Sequence, residues 1–331
     1  MHTICQVRID SVRQVFNDEN HNAFTDLCRF GNRFYLTFRS CPDGHSVFSS
    51  AYIVVLASDN AVEWQEVHTF SVPHRDTRDP HFLIFNDTLF VYAGTWLVPP
   101  VHERRDFNDH LGYCVWSPDG RSWQGPRLLE GTYGHYIWRA AAYGGKAYLC
   151  GRRRRAFVSR QEGETSPERI EGALLESDDG LVWKFTGLFT AEYGNETAFL
   201  FEEDGAVVAI ARGAGSQPAR ICRSRPPYSQ WTRADLSRNI GGPLLAKWER
   251  QYLVGGRKTI DPEHPRTALY WLIDDTLQEI AELPSDGDNS YPGFVPLSET
   301  RGLLSYYSSH EGSGSKSSRS AIYLAELTRN R

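Results

Sequence analysis

The phrase Ser-x-Asp-Gly-x-x-Trp recurs along this chain, and a recurring phrase limits the available folds more than any single residue does. Ser117-Pro118-Asp119-Gly120-Arg121-Ser122-Trp123 and Ser177-Asp178-Asp179-Gly180-Leu181-Val182-Trp183 are full copies. Ser58-Asp59-Asn60 leading to Trp64 lacks the glycine, and Ser224 to Trp231 is looser, with Pro226-Pro227 in the turn. A period of roughly 40–60 residues signals an array of like units, and β-propellers fall in that range. Within one copy a short acceptor, Ser or Asp, bonds the backbone N–H groups of a tight turn, and Gly takes the positive φ. The Trp then opens the next strand. We read the turn as a folding device between antiparallel strands, with a structural rather than catalytic Asp.

Between these turns the chain shows short alternating strands and polar breaks, without a convincing amphipathic helix. The first unit offers strands at 22–29, 33–38, 50–57 and 64–71. The second offers 80–86, 89–95, 111–117 and 123–129, and the third 137–143, 146–151, 172–177 and 183–189. The fourth has 197–202, 206–211, 219–223 and 231–235, and the fifth 242–247, 251–256, 267–273 and 277–282. A sixth supplies only 293–297, 302–307 and 320–327, and residues 4–16 have the character of its missing strand. Pairing an N-terminal strand with the last blade closes the ring and removes its exposed edges. The expectation is one all-β domain over 1–331, a six-bladed β-propeller of four-stranded antiparallel blades closed by the N-terminal strand. Five blades is the alternative, with the fifth unit a decorated connection. Segments 152–171 and 308–319 read as long, polar, mobile loops.

Bulk properties narrow the partners. A formal charge of -5 offers no basic field for a phosphate backbone, so nucleic acid is not expected. No apolar run approaches the ~20 residues of a membrane helix. No secretory signal opens the chain, and its six cysteines, Cys5, Cys28, Cys41, Cys114, Cys150 and Cys222, show neither metal-ligand nor disulfide spacing. Reduced core thiols in a cytoplasm are expected, with no metal and no cofactor. Nothing in the sequence marks an oligomeric state.

In a four-stranded blade, the loop entering the first strand and the loop after the second lie on one face, opposite the repeated turns. Residues there converge on the axis. They include His21, Asn22, Asp26, Arg39, Arg78, Asp79, His81, Trp96, His102 and Glu103 from the first two units. Later units add His135, Trp138, Arg139, Arg152, Asn195, Glu196, Arg212, Arg257 and Arg266, then Asp286, Asp288, Tyr291, His310 and Glu311. Arg39, Arg152, Arg212 and Arg257 all follow second strands. One such arginine reads as a solvated rim charge, but four converging guanidiniums call for an anion, and their forks suit a planar carboxylate or a sulfate. An acidic sugar is the natural substrate.

These residues resemble the sialidase (neuraminidase) superfamily. The repeated turns look like its Asp-boxes. Asn195-Glu196-Thr197, then Asp204-Gly205 and Arg212, is similar to the segment holding the partner of the nucleophile and one of three carboxylate-binding arginines. Ser290-Tyr291-Pro292, followed by Leu303-Leu304-Ser305-Tyr306, is similar to the segment with the tyrosine nucleophile. Where that family opens its first blade with Arg-Ile-Pro, this chain has Asn22-Ala23-Phe24. The loop that carries the family's acid aspartate offers Asp43 and His45 here. Arg266 is the better match for the third arginine, with Arg257 beside it. The resemblance implies an exo-acting glycosidase for an acidic or otherwise modified sugar, a divergent relative rather than a sialidase proper.

The implied chemistry pairs a tyrosine hydroxyl, a poor nucleophile at pKa ~10, with Glu196 as its proton acceptor. A neutral attacking oxygen suits a substrate whose own carboxylate would repel an anionic nucleophile. Tyr291, Glu196 and Asp79 are the catalytic candidates. Arg39, Arg78, His81, Arg139, Arg212, Arg257, Arg266, Asp26 and His45 are the substrate-binding ones. Arg78-Asp79-Pro80 also resembles a motif of five-bladed furanosidases, in which Asp26, Asp79 and Glu196 would be the three carboxylates. A polysaccharide lyase using His81, His135 and Tyr291 remains open, as does a non-catalytic carbohydrate-binding propeller. Axial residues that differ from blade to blade favour one asymmetric site, and so an enzyme.

Overall fold

The computed structural model describes residues 6–100, 105–158, 169–261, 263–311 and 319–330. Strand β1 (Val7–Phe16) precedes blade one, which comprises β2 (His21–Phe30), β3 (Arg33–Cys41), β4 (Tyr52–Ser58) and β5 (Gln65–Phe70). Blade two is β6 (Arg75–Phe85), β7 (Thr88–Leu97), β8 (Leu111–Ser117) and β9 (Gln124–Leu128). Blade three is β10 (Tyr136–Tyr143), β11 (Lys146–Arg154), β12 (Ile170–Ser177) and β13 (Lys184–Thr190). Blade four is β14 (Thr197–Phe201), β15 (Val207–Ala211), β16 (Arg220–Ser224) and β17 (Trp231–Asp235). Blade five is β18 (Gly241–Trp248), β19 (Gln251–Lys258), β20 (Arg266–Ile273) and β21 (Thr276–Glu282). Blade six is β22 (Asn289–Pro296), β23 (Arg301–Ser308) and β24 (Ala321–Arg329), completed by β1.

That last pairing closes the ring. β1 runs antiparallel to β24, from Val7 opposite Arg329 to Phe16 opposite Ile322. Both ends of the described chain thus share one sheet, and six blades rather than five are observed. Burial falls from the axis outward. Along β6 all but one residue is buried, whereas every residue of the outer strand β9 is exposed. Sheet faces pack against neighbouring blades, with Trp248, Trp271, Tyr270 and Tyr323 essentially fully buried between them. Each such side chain contributes roughly 1.5–3 kcal/mol.

The repeated turns are held as their residue types require. Asp119 Oδ1 accepts from the N–H groups of Arg121 (2.8 Å) and Ser122 (2.7 Å) and from Ser117 Oγ. Asp179 does the same with Leu181, Val182 and Ser177. In the first unit Asn60, not Asp59, is the acceptor, from Val62 N and Glu63 N, and Ala61 adopts the positive φ that Gly120 and Gly180 take elsewhere. The preceding blade buttresses each full copy. Tyr92 on β7 donates to the Gly180 carbonyl at 3.0 Å, and Tyr35 on β3 reaches the Gly120 carbonyl.

Two boundaries differ instructively from expectation. Blade two begins at Arg75 rather than 80, and blade six at Asn289 rather than 293. In both, a β-bulge sets two residues against one on the partner strand: Asp79-Pro80 between Arg78 and His81, and Tyr291-Pro292 between Ser290 and Gly293. Bulges also hold Phe24-Thr25, Trp138-Arg139 and Gly242-Pro243. A bulge leaves one residue outside the ladder, so a proline there costs no hydrogen bond. Seen from sequence alone, that proline looks like a strand start.

The first polar loop is also shorter than expected. β11 runs on through Arg154 and β12 begins at Ile170. The remaining middle of the first loop (159–168), residues 312–318 of the second and Cys5 lie outside the described residues. The five described cysteines are free. Among the described residues no helix is long and apolar enough to cross a membrane.

Candidate active site

The bulges build the site. Phe24, Asp79, Gly242 and Tyr291 all have φ between 49° and 63°, a strained value for all but glycine. This backbone turns the side chains of Phe24, Asp79 and Tyr291 out of the ladder and into one cavity. Such strain concentrates where a site fixes geometry. Phe24, Asp79, Trp138 and Tyr291 line one axial cavity of ≈ 280 Å³. Glu196 enters it from just before β14. Arg152, Arg212 and Arg257 enter from the ends of second strands, and His45 from the loop between β3 and β4.

Glu196 is the best-anchored of these groups. Its Oε1 accepts from Arg212 Nη1 at 2.8 Å and its Oε2 from the Gly242 N–H at 2.6 Å. Only a residue without Cβ fits at that bulge, because a Cβ on Gly242 would lie 2.4 Å from the Tyr291 ring. Burial favours the protonated acid, but Arg212, Arg257 and the Gly242 N–H outweigh it and bring Glu196 down to about 2. The Tyr291 phenol is pushed well up, first by burial and then by the Asp79 and Glu196 charges. The ground state is therefore a neutral phenol and an ionised carboxylate in one cavity.

Asp79 behaves in the opposite way. Burial raises it to about 7 against the pull of Arg78, with Glu196 adding repulsion. Tyr136 donates to its Oδ2, while its buried Oδ1 has no partner.

The cations are unevenly matched. Arg212 pairs with Glu196, and Arg257 Nη1 with Asp288 Oδ1 at 3.2 Å. Arg78 lies 3.7 Å from Asp76, donates to the His45 carbonyl at 2.6 Å and stacks on Phe24. Among the described residues Arg152 has no carboxylate within ion-pair distance. It packs over Phe107, Tyr136 and Trp138, bonds Asn195 Oδ1 weakly at 3.4 Å, and its buried Nε is unpartnered. An uncompensated, desolvated guanidinium is costly. An anion entering the cavity would relieve it.

Of the residues singled out from sequence, Tyr291, Glu196, Asp79, Arg78, Arg212, Arg257 and His45 share this cavity. Arg39 does not, which corrects its assignment to substrate. Its fully buried guanidinium grips both oxygens of Asp76 at 3.0 Å and donates to the carbonyls of Gly44 and Ser46. It anchors the loop that presents His45. Arg266 is likewise absent from the lining, being half-exposed and bound to Asp286 and the Ser285 carbonyl.

Asp26, His81 and Arg139 form a network outside the cavity lining. Arg139 joins Asp26 Oδ1 at 2.9 Å to the Pro292 carbonyl at 2.7 Å, tying three blades together at the axis. Asp26 Oδ2 accepts the Phe82 N–H, and burial lowers His81 to about 4. Asp26 does not line the cavity with Asp79 and Glu196, as three convergent furanosidase carboxylates would. His310 and Glu311 also face elsewhere, bonding Ser308 and Tyr323. His102 and Glu103 lie outside the described residues.

The aromatic wall of Trp96, Trp138, Tyr136, Tyr307 and Phe24 was only partly foreseen. A usable signal was the X-Pro step inside a first strand, which marks residue X as the one aimed at the axis.

Fold and cavity together define a six-bladed β-propeller with an asymmetric, arginine-lined axial cavity. The sequence matches no known family and no curated protein. Among solved structures it is similar to a protein of unknown function from Dyadobacter fermentans. That pair is 23% identical with a TM-score of 0.80, over 98% of this chain and 100% of that one. It is also similar to Trypanosoma rangeli sialidase in complex with sialic acid, at 14% identity and TM-score 0.66, over 96% of this chain and 57% of that one. A NanB sialidase variant of Streptococcus pneumoniae gives 12% identity and TM-score 0.67, over 97% of this chain and 70% of that one. These likenesses are likenesses of fold.

Proposed function

We propose that this protein is a glycoside hydrolase for a carboxylate-bearing sugar, with Tyr291 as nucleophile and Glu196 as its proton acceptor. The observation that carries the reading is that Tyr291 and Glu196 share one cavity with four guanidiniums, one of which, Arg152, has no carboxylate within ion-pair distance among the described residues. A sugar carboxylate would lie among Arg152, Arg212 and Arg257. Asp79, neutral below about pH 7, would hydrogen-bond a sugar hydroxyl through its free Oδ1. Trp138 and Tyr136 would form an apolar wall.

Substrate charge and nucleophile activation are coupled on this reading. Glu196 is a reluctant proton acceptor in the free protein because Arg212 and Arg257 hold it low. A carboxylate bound to the same guanidiniums partly neutralises them, so Glu196 becomes more basic when the acidic sugar is in place. A neutral sugar gives no such activation.

The test is hydrolysis of a panel of aryl glycosides of acidic, neutral and furanosidic sugars. Turnover is expected for an acidic member and loss to background in Tyr291→Phe and Glu196→Gln. Wild-type rates in both variants would exclude the tyrosine mechanism. Binding of acidic sugars with no turnover would instead favour a carbohydrate-binding propeller.

A further inference from the structure

Four of the proton-transfer candidates in the cavity are sequestered. Asp79 is 3% exposed, Tyr291 6% and Tyr307 1%, and the Glu196 side chain 14%. His45 is the exception at 38%. A glycoside whose sugar carboxylate is held by the arginines at the axis must direct its departing group outward. The acid that protonates this group therefore belongs at the mouth, where His45 lies.

The ring of His45 is held for that purpose. Its Nδ1 lies 2.5 Å from Asp288 Oδ2. The same oxygen receives His21 Nε2 at 2.9 Å, while Arg39 Nη1, which can only donate, faces His21 Nδ1 at 3.5 Å. His21 thus carries its proton on Nε2, and His45 on Nδ1. Asp288 Oδ1 accepts from Arg257 Nη1 and the Tyr307 hydroxyl. With four donors around it, this buried carboxylate stays ionised and fixes the His45 tautomer, as carboxylate–imidazole pairs do in acid–base catalysis.

We propose that His45, positioned by Asp288, is the general acid and base of this site, working through Nε2 on the departing group and then on water. The proposal rests on the hydrolase reading above. In the first step the bond between Tyr291 Oη and the anomeric carbon forms as the glycosidic C–O bond breaks. The phenol proton passes to Glu196, and the departing oxygen takes the Nε2 proton of the His45 imidazolium. In the second step water attacks the anomeric carbon and yields a proton to His45 Nε2. The Tyr291 oxygen leaves and recovers its proton from Glu196, so every group returns to its starting state.

The same three atoms of His21, His45 and Asp288 lie within 4.8 Å of one another, close enough to consider a metal ion. The guanidiniums of Arg39 and Arg257 touch two of these residues, and their charge opposes a cation there. The charged and titratable groups around His45 are Asp288, His21 and Arg78, with Arg39, Arg257 and Tyr307 behind them.

The experiment compares two glycosides of one acidic sugar, one with a nitrophenyl leaving group that needs no proton and one with an alkyl leaving group that does. His45→Gln should lose roughly 10²–10⁴-fold in kcat/KM on the alkyl glycoside and no more than a few-fold on the nitrophenyl one. The ratio within one variant does not depend on how much of it folds. Asp288→Asn should lower kcat/KM on the alkyl substrate by a larger factor than on the nitrophenyl one, because loss of the Arg257 pair weighs equally on both. Equal losses on both substrates in His45→Gln would overturn the assignment. Activity abolished by a chelator and restored by zinc alone would overturn it in favour of a metal site. Wild-type protein that hydrolyses neither glycoside would overturn the hydrolase reading itself. In that case the Tyr291→Phe control has no rate to lose, which separates the two failures.

Discussion

Asp79 and Glu196 face one cavity yet hold their protons oppositely, Asp79 up to about 7 by burial and Glu196 down to about 2 through Arg212 and Arg257. Burial without a cation in direct contact drives the first up, and paired guanidiniums drive the second down. The pair also has consequences for stability. Asp79 is raised on folding, so its contribution is fully present below about pH 4 and is lost as pH rises to about 7. Asp79→Asn should match wild type in thermal midpoint at acid pH and exceed it at pH above about 7. Glu196 has the opposite sign, with stability present above about pH 4.3 and lost as pH falls towards about 2. Glu196→Gln should therefore be the less stable protein at neutral pH, and the gap should close on acidification. Midpoints against pH for both variants check the two signs.

Arg152 and Arg212 should separate under substitution. Arg212→Met leaves Glu196 without its main partner and should destabilise the free protein, as breaking a hydrogen-bonded buried charge pair costs about 2–5 kcal/mol. Arg152→Met removes an uncompensated cation and should leave stability unchanged or raised. Both should weaken binding of an acidic monosaccharide at least about tenfold, about 1.4 kcal/mol, in titration calorimetry. A methyl ester of the same sugar should bind both variants and wild type alike.

Arg39 and Arg266 looked alike in sequence and should differ sharply in denaturant. The Arg39–Asp76 pair is wholly buried, so Arg39→Met should cost about 3–5 kcal/mol. Arg266→Ala removes a half-exposed pair and should cost about 1 kcal/mol or less. Urea midpoints at constant m-value decide it.

The repeated turns should affect stability rather than turnover. Asp179→Ala removes the acceptor for two backbone N–H groups and the Ser177 hydroxyl and should lower stability by about 1 kcal/mol. Its kcat on any substrate of the wild type should be unchanged, because no turn residue lines the cavity. Lost turnover at full stability would contradict the structural role of the turn.

The period of the turns and the alternation between them were enough to read six blades and the closure by the N-terminal strand, because both are local properties repeated along the chain. The same reading brought Glu196, Tyr291 and Asp79 to one face by topology alone. It misjudged Arg39. An arginine at the end of a second strand looks the same whether it meets a buried Asp76 or an open cavity, and that difference lies 37 residues away in sequence. Bulges were misread as strand starts because a proline outside the ladder and a proline before it leave the same trace.

What the chain determined by itself was its array of hairpins, since turn chemistry and strand periodicity act over a few residues. What only the closed ring decided was the balance of charge. The values of Asp79 and Glu196, the uncompensated Arg152, and the Asp288–His45 pair across blades one and six arise from residues far apart in sequence. Burial and Coulomb interaction depend on distance in space, and the sequence alone does not specify that distance.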